Sequence, residues 1–121
     1  MAEIRLSVTA EADILSVLAW TQSHFGEMAR LRYEALLTAA LRDVAADPER
    51  AGSLARPEFG AMVRSYHLFY SRDRARTAVG MVRRPRHFLL YRVVAAERVG
   101  IGRVLHDAME IGRNLPPDYG V

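Results

Sequence analysis

Two helical patterns that follow one another with almost no chain between them constrain the fold more than any other feature of this sequence. Apolar residues recur at helical spacing over about residues 10–25 and again over residues 27–47. Gly26 separates the two patterns, and Pro48 stops the second. Helices joined so closely must fold back as an antiparallel hairpin, whose apolar inner face needs a flat apolar surface to cover it. The remainder of the chain is therefore expected to supply a β-sheet.

Four segments outside the hairpin have the composition or alternation of β-strands. The last two are joined by the short polar connection 95–97, which predicts a β-hairpin, and Thr9 can cap the first helix. The candidate strands are residues 3–9, 61–71, 87–94 and 98–105. We predict an α+β fold in which an N-terminal strand and the helical hairpin, residues 10–47, pack on a mostly antiparallel sheet of about four strands.

Three connecting or terminal segments complete the chain. Residues 48–58 are interpreted as a connecting loop because prolines and small residues interrupt them. The basic stretch 72–86 is either a long excursion or an extended hairpin arm around residues 77–82. The first residues of the segment 106–121 are compatible with a helix, but a glycine and two prolines follow them. We therefore predict a short helix or turn followed by a tail. A chain of this length can bury one core, so we expect a single domain over residues 1–121.

The residue types exclude several kinds of chemistry. The chain has no cysteine, which removes disulfides, thiolate catalysis and zinc–thiolate sites. Its four histidines are far apart in sequence, so no local pair of metal ligands is visible, and we expect no metal and no cofactor. No apolar run reaches the roughly 18 residues of a membrane span. Because no secretory signal is visible at the N-terminus either, we expect a cytoplasmic protein without membrane contact.

Positive charge is concentrated in the second half of the chain. All 17 basic residues are arginines, and ten of them lie between Arg64 and Arg103 against two acidic residues. Such a distribution is typical of a protein with an anionic partner, either nucleic acid or an acidic protein surface. A solvated, soluble surface would give the same pattern, and charge alone does not separate these interpretations.

Five short strings carry a more specific signal. They are Ala12–Leu15, His24–Gly26, Val63–Tyr66, Pro85–Arg92 and Arg103–Met109. In this order and spacing they resemble the ParE branch of the RelE/ParE toxins of bacteria. The likeness extends over roughly residues 4–115, and the order of a strand, a helical hairpin and further strands matches as well. The stretch 71–86 departs from it, because it is longer than the tight connection in many of these toxins.

The resemblance implies the toxin of a type II toxin–antitoxin pair. Such a toxin is neutralised by a cognate antitoxin, here expected to be a ParD-like ribbon-helix-helix protein, within a toxin–antitoxin hetero-oligomer. When freed, the toxin is expected to bind and inhibit DNA gyrase, so that growth stops. ParE toxins are not known for chemistry of their own. The resemblance therefore implies a binding protein without catalytic residues, which contacts nucleic acid only indirectly, through the antitoxin.

Six residues on the predicted strands are candidates for binding the target. Arg64 and Arg103 lie on strands whose sheet should leave part of one face open, where guanidinium groups could recognise carboxylates or other anions. Structural pairing with Asp107, Glu110 or backbone carbonyls is the alternative. Aromatic residues on neighbouring strands could complete a protein-contact surface, or could be ordinary half-buried strand residues. The other four candidates are Tyr66, His87, Tyr91 and His106.

His106 is the best single candidate for chemistry, because an imidazole can move a proton near neutral pH. In ribonucleases of the same superfamily, a histidine near the end of this strand takes part in messenger-RNA cleavage on the ribosome. The alternative function is therefore a ribosome-dependent endoribonuclease of the RelE type, in which His106 would act with Arg64 and Arg103. The neighbouring strand carries no carboxylate to complete an acid–base pair, which favours a structural His106 and the gyrase hypothesis.

Four residues are candidates for binding the antitoxin. Trp20 lies off the main apolar stripe of the first helix and could cover the edge of the hairpin or contact the antitoxin, although core packing is the favoured interpretation. Arg83, Arg84 and Arg86 end a basic run that could meet acidic antitoxin side chains, hold nucleic-acid phosphates or remain a solvated loop. No aromatic residues are interleaved with this run, which favours the antitoxin or the solvated loop over single-stranded nucleic acid.

Overall fold

The helical hairpin covers one face of a five-stranded sheet in the computed structural model, which describes all 121 residues. The elements are α1 (Val8–Phe25), α2 (Glu27–Ala46), β1 (Glu3–Leu6), β2 (Ser53–Ala55), β3 (Val63–His67), β4 (His87–Ala95) and β5 (Arg98–His106). The strand order across the sheet is β1-β5-β4-β3-β2. Strand β1 runs parallel to β5, and the other neighbours are antiparallel. The predicted α+β fold, with the hairpin on a mostly antiparallel sheet, is confirmed.

A single residue, Gly26, forms the turn between the two helices. Its backbone has a φ of 92°, in the region that favours glycine, and its N–H donates to the carbonyl oxygen of Gln22 at 2.9 Å. Helix α1 packs on β5, helix α2 packs beside residues 68–74, and both helices bury apolar side chains in one cluster with those of the strands. The core includes Leu36, Leu37, Ala40, Val44, Leu89, Val99 and Ile101. No helix is both long enough and apolar enough to cross a membrane.

Strand β1 ends at Leu6, earlier than the alternation of residues 3–9 predicts. Ser7 caps α1, because its Oγ accepts from the N–H of Ala10 at 2.9 Å and donates to the carbonyl oxygen of Gly102 at 2.8 Å. The predicted cap, Thr9, already lies inside the helix. The helix begins early because the carbonyl oxygen of Gly102, on β5, accepts a hydrogen bond from the Ser7 hydroxyl. The alternation of neighbouring residues cannot reveal such a distant contact.

The sheet has five strands where about four are predicted. The additional strand, β2, lies within the predicted loop 48–58 and pairs with β3 in antiparallel register. A strand of three residues is too short to show an alternation of its own. Only the exposed edge of β3, with its unpaired backbone groups, makes this segment a strand.

The predicted strand 61–71 is shorter than expected, because only β3 pairs within the sheet. At Leu68 the chain turns into a 3-10 helix that continues to Arg74. The imidazole Nδ1 of His67 accepts from the N–H of Phe69 at 3.0 Å and caps the start of this helix. The run of β-forming residues therefore bends away from the sheet, and Leu68 enters the core from the turn.

The basic stretch 72–86 is an excursion along α2 and not a hairpin arm of the sheet. Thr77 and Gly80 exchange two backbone hydrogen bonds of 3.0 and 3.1 Å, which close a tight turn. The Arg32 guanidinium donates to the carbonyl oxygen of Val79 at 3.0 Å and ties this turn to α2. The excursion therefore carries its arginines onto the side of the helical hairpin.

The C-terminal segment covers a sheet face that we expected to remain open to a partner. Beyond a short 3-10 helix at residues 111–113, the tail crosses the sheet on the face opposite the helices. A Cβ at Gly100 would overlap the backbone of Tyr119, and a Cβ at Gly102 would lie 2.7 Å from the Tyr119 ring. These two glycines therefore form the floor of a trough in which the tail rests.

Candidate functional site

A groove of about 850 Å³ opens between the C-terminal half of α1, the N-terminal part of α2 and the residues before β4. The apolar residues that line this hairpin groove include Val17, Trp20, Phe25, Ala29, Met81, Val82 and Met109. Its polar lining includes Arg32, Tyr33, Arg84, Arg86, His87 and His106. The structure therefore brings together three predicted antitoxin-binding residues and two predicted target-binding residues. Sequence reasoning missed Arg32, Met81 and Met109, whose patterns are those of ordinary surface or loop residues.

Trp20 is exposed in the hairpin groove. It is 53% accessible, its ring stacks on His24 with centroids 4.3 Å apart, and Phe25 packs edge-on against it at 5.6 Å. The favoured interpretation of Trp20 as a core residue is wrong, because other residues of α1, such as Leu18, face the sheet. An exposed aromatic cluster of this kind offers a large apolar contact area to a partner.

Asp107, which lies beside the groove and not in its lining, binds two basic side chains. The Arg86 guanidinium donates to its carboxylate from Nη2 at 2.9 Å and from Nε at 3.1 Å, and Nε2 of His67 lies 3.1 Å from Oδ2. The hydrogen bonds from Arg86, with that from His67, lower the pKa of Asp107 to about 2. Arg83 and Arg84 have no carboxylate partner, so this rim of the groove keeps uncompensated positive charge.

His87 and His106 meet where the ends of β4 and β5 close the groove. Their rings are nearly perpendicular with centroids 5.3 Å apart, and the hydroxyl of Tyr33 lies 2.6 Å from Nδ1 of His87. Burial, with a smaller contribution from His106, lowers the pKa of His87 to about 4. Burial also raises the pKa of Tyr33 to about 12. At neutral pH the uncharged Tyr33 hydroxyl and an uncharged His87 therefore share one hydrogen bond.

His106 is hydrogen-bonded at the junction between β5 and the following turn. Its Nδ1 accepts from the N–H of Ala108 at 3.0 Å and lies 3.6 Å from Oδ1 of Asp107. Sequence reasoning did not connect His67 with His87 and His106. The sheet register does so, because it pairs His87 with His106 and places His67 opposite Phe88 at the same end of the sheet.

We expect His87 to make folding depend on pH between 6.5 and 4. Its pKa in the folded protein, about 4, lies below the ordinary 6.5, so the unfolded chain takes up the proton first. Stability that is present above pH 6.5 is therefore lost as the pH falls toward 4. With allowance for partial solvent access, the loss in the free energy of unfolding should be about 2 kcal/mol. Urea unfolding at neutral pH and near pH 4.5 measures it.

The matched variants for this test are His87→Gln, which leaves a hydrogen-bond acceptor for Tyr33, and His24→Gln at an exposed site. The first should lose the dependence between pH 6.5 and 4, and the second should keep it. Equal pH dependence in both variants and the wild type would contradict the role given to His87.

Arg64, Tyr66 and Tyr91 do not form an exposed contact surface. Tyr66 and Tyr91 are fully buried, and the Tyr66 hydroxyl pairs with Oγ of Ser71 at 2.8 Å. Arg64 lies on the same side of β3 as Tyr66, and its Nη2 donates to Oγ of Ser53 at 2.8 Å. The prediction that these residues line an open face is wrong, because the side of the strand that they share is the side covered by the helices.

Arg103 forms an ion pair with Asp13, 90 residues earlier in the chain. Its Nε and Nη2 donate to the two carboxylate oxygens at 2.8 and 3.0 Å, and the same carboxylate accepts from the N–H of Val104 at 2.9 Å. Arg64 and His106 have other contacts, so the three residues of the ribonuclease hypothesis are not assembled into one site. Arg103 is paired structurally, but its carboxylate partner is Asp13 and not Asp107 or Glu110, and local sequence does not indicate it.

The sequence matches the family model of the ParE toxin of type II toxin–antitoxin systems, parDE, over residues 4–111. This chain belongs to the ParE toxin family. A comparison with curated proteins found no match. Membership of the ParE family establishes a toxin role in a toxin–antitoxin system and implies a cognate antitoxin as partner.

The ParE match includes every residue that lines the hairpin groove. It ends before the tail that lies in the trough over Gly100 and Gly102. The groove is therefore built entirely from the part of the chain that the ParE family shares, whereas the cover of the opposite sheet face lies outside the matched residues.

Proposed function

We propose that this ParE-family toxin binds and inhibits DNA gyrase in the cytoplasm, that growth stops as a result, and that a ParD-like ribbon-helix-helix antitoxin neutralises it within a hetero-oligomer. Membership of the family supports this choice of target. The site supports binding rather than catalysis, because Asp107 is already held by Arg86 and His67 and is not free to act as a base. A common apolar cluster to which both helices and the sheet contribute supports one toxin domain over residues 1–121.

The proposal that an antitoxin binds this toxin rests on the hairpin groove. Trp20 and Phe25 form an exposed apolar wall, and Arg32 and Arg84 lie in the same groove without a carboxylate partner. An amphipathic antitoxin segment with apolar anchors and acidic neighbours would cover the wall and compensate the charge. Two further arginines, Arg83 and Arg86, belong to the same basic segment and are proposed as contacts for acidic antitoxin side chains.

His87 and His106 are the candidate target-binding residues that the groove contains. We propose that they contact gyrase when the groove is empty, and that the antitoxin neutralises the toxin by covering them. The remaining candidates, Arg64, Tyr66, Tyr91 and Arg103, support the fold through their buried contacts. The antitoxin and gyrase should therefore compete for the toxin.

The Trp20→Ala variant should bind the cognate antitoxin about 30-fold more weakly, since an exposed aromatic anchor contributes about 2 kcal/mol or more when a partner buries it. Isothermal titration calorimetry with the purified antitoxin measures the change. Leu54→Ala is the matched control, because Leu54 is similarly exposed but lies on β2, away from the groove. Unchanged affinity of Trp20→Ala would place the antitoxin elsewhere.

Inducible expression of the chain alone in a bacterium tests the target. We expect growth arrest together with DNA breaks that depend on gyrase, and both effects should disappear in a strain with a resistant gyrase. Co-expression of the antitoxin should restore growth in the strain with the sensitive gyrase. Growth arrest with intact chromosomes would contradict gyrase inhibition.

Ribosome-dependent mRNA cleavage is the second candidate, and one observation favours it. His106 is partly exposed, and the imidazole of His87 lies beside it with the ring centroids 5.3 Å apart, so two proton-transfer groups are closer together than the sequence indicates. The same expression experiment separates the two functions. Codon-phased cuts in mRNA that are abolished by His106→Ala would make this chain a ribonuclease.

A further inference from the structure

A row of arginines runs along the outer side of α2 and the excursion beside it. Arg32 and Arg42 lie on α2, about 80° apart around the helix axis, and Arg76, Arg83 and Arg84 belong to the excursion that runs beside this helix. Two contacts fix the alignment: Arg32 binds the carbonyl oxygen of Val79, and Arg42 shares a shallow groove with Arg76. We call these five residues the arginine ridge.

The charge of the arginine ridge is not compensated within the protein. Residues 74–86 contain five arginines and no acidic residue. Two of these arginines are neutralised, Arg74 by Asp43 at 2.8 Å and Arg86 by Asp107 at 2.9 Å. The five members of the ridge have no carboxylate partner. An anionic partner can therefore bind there without breaking an existing ion pair.

The surface around the Arg42 end of the ridge differs from the hairpin groove in its apolar content. The shallow groove beside Arg42 and Arg76 has only alanines as its apolar lining, whereas the hairpin groove has Trp20 and Phe25. A protein interface usually needs a well-packed apolar or aromatic centre. Contacts to a phosphate backbone need only charge and hydrogen-bond donors, which guanidinium groups supply.

We propose that the arginine ridge binds the phosphate backbone of duplex nucleic acid directly. Arg42 and Arg76 lie outside the proposed antitoxin surface and keep this contact when the antitoxin covers Arg32, Arg83 and Arg84. Arg32 and Arg42 are ten residues apart on one helix, which is a distance of about 15 Å. A straight duplex carries about nine phosphate charges over this length, and a single strand carries half as many. The ridge contains no aromatic residue on which the bases of a single strand could stack. This role goes beyond the expected indirect contact through the antitoxin, and it does not depend on gyrase inhibition.

Fluorescence anisotropy with the purified full chain and a labelled 30-base-pair DNA duplex tests the proposal. Four neutralised phosphates would give a slope of log affinity against log salt of about −3.6. The double variant Arg42→Gln/Arg76→Gln should bind about tenfold more weakly or worse, with a slope shallower by about 1.8. The corresponding lysine variant should retain most of the affinity, because it keeps the charge.

The control is Arg98→Gln/Arg113→Gln, which removes the same net charge from exposed sites outside the ridge. Its affinity for the duplex should stay within about twofold of wild type. Equal weakening by the control, no binding at low salt, or tighter binding to a single-stranded RNA of the same length would overturn the proposal. Displacement of the duplex by polyglutamate at equal charge concentration would instead identify the ridge as a surface for acidic proteins.

Discussion

The Asp13→Ala variant should unfold with a free energy about 3 kcal/mol lower than that of the wild type, because the substitution breaks a largely buried ion pair. Asp13 and Arg103 keep only 16% and 19% of their side-chain surface exposed. Without the carboxylate, the Arg103 guanidinium loses both of its hydrogen bonds to Asp13. The N–H of Val104, which lies past the part of β5 that pairs with β1, loses its acceptor as well. Urea unfolding at neutral pH measures the difference.

Glu34→Ala is the matched control for this prediction. Glu34 accepts from Arg30 at 3.0 Å one helical turn away, but both side chains are well exposed. Removing such a pair should cost about 0.5 kcal/mol or less. A loss below about 1 kcal/mol for Asp13→Ala would show that the Arg103 pair is no stronger than a surface pair. The loss of stability in an Asp13→Asn variant should lie between those of Glu34→Ala and Asp13→Ala, since asparagine keeps an acceptor for the N–H of Val104 but loses the charge.

The second large effect is expected from Gly100→Val, which should release the C-terminal tail from the sheet. A side chain at this position would overlap the backbone of Tyr119 and displace it. Valine otherwise suits a strand, so the strain falls on the tail and not on β5. The NMR order parameters of the amides in residues 118–121 should fall from about 0.85 to below about 0.6, because a released tail moves freely on the nanosecond timescale.

Two further variants of this chain serve as controls for the test. Gly112→Ala is the control, because its Cβ would meet the nearest atom, on Phe59, at an ordinary 3.5 Å. Deletion of residues 115–121 in the Gly100→Val background should remove the cost of the valine, since no tail remains to displace. Unchanged order parameters in the tail of Gly100→Val would contradict the close approach of Tyr119. If the valine stayed equally destabilising without the tail, its strain would lie within β5.

A released tail would have a functional consequence that can be measured in the same variants. The tail covers the sheet over Gly100 and Gly102, on the opposite face from the hairpin groove. If the groove alone binds the antitoxin, Gly100→Val should keep the affinity of the wild type. The comparison with Trp20→Ala therefore separates the two faces of the toxin as binding surfaces.

Local sequence determined the elements whose patterns are complete within a few residues. The helical hairpin follows from two apolar stripes of period 3.6 and from Gly26, whose positive φ only glycine adopts readily. The hairpin of β4 and β5 follows from two β-forming runs with a short polar connection. These features depend on neighbours at most four residues apart, so one sequence is enough to find them.

Tertiary structure alone decided which surfaces and charges meet. Three residues of β2 become a strand only beside β3, and Asp13 finds Arg103 only because α1 packs next to β5. Period-two alternation placed Arg64 and Tyr66 on one side of a strand, but only the position of α2 makes that side the core. Pairing between distant segments depends on how the whole chain packs. The hairpin groove and the arginine ridge, which lie between such segments, therefore appear only in the folded molecule.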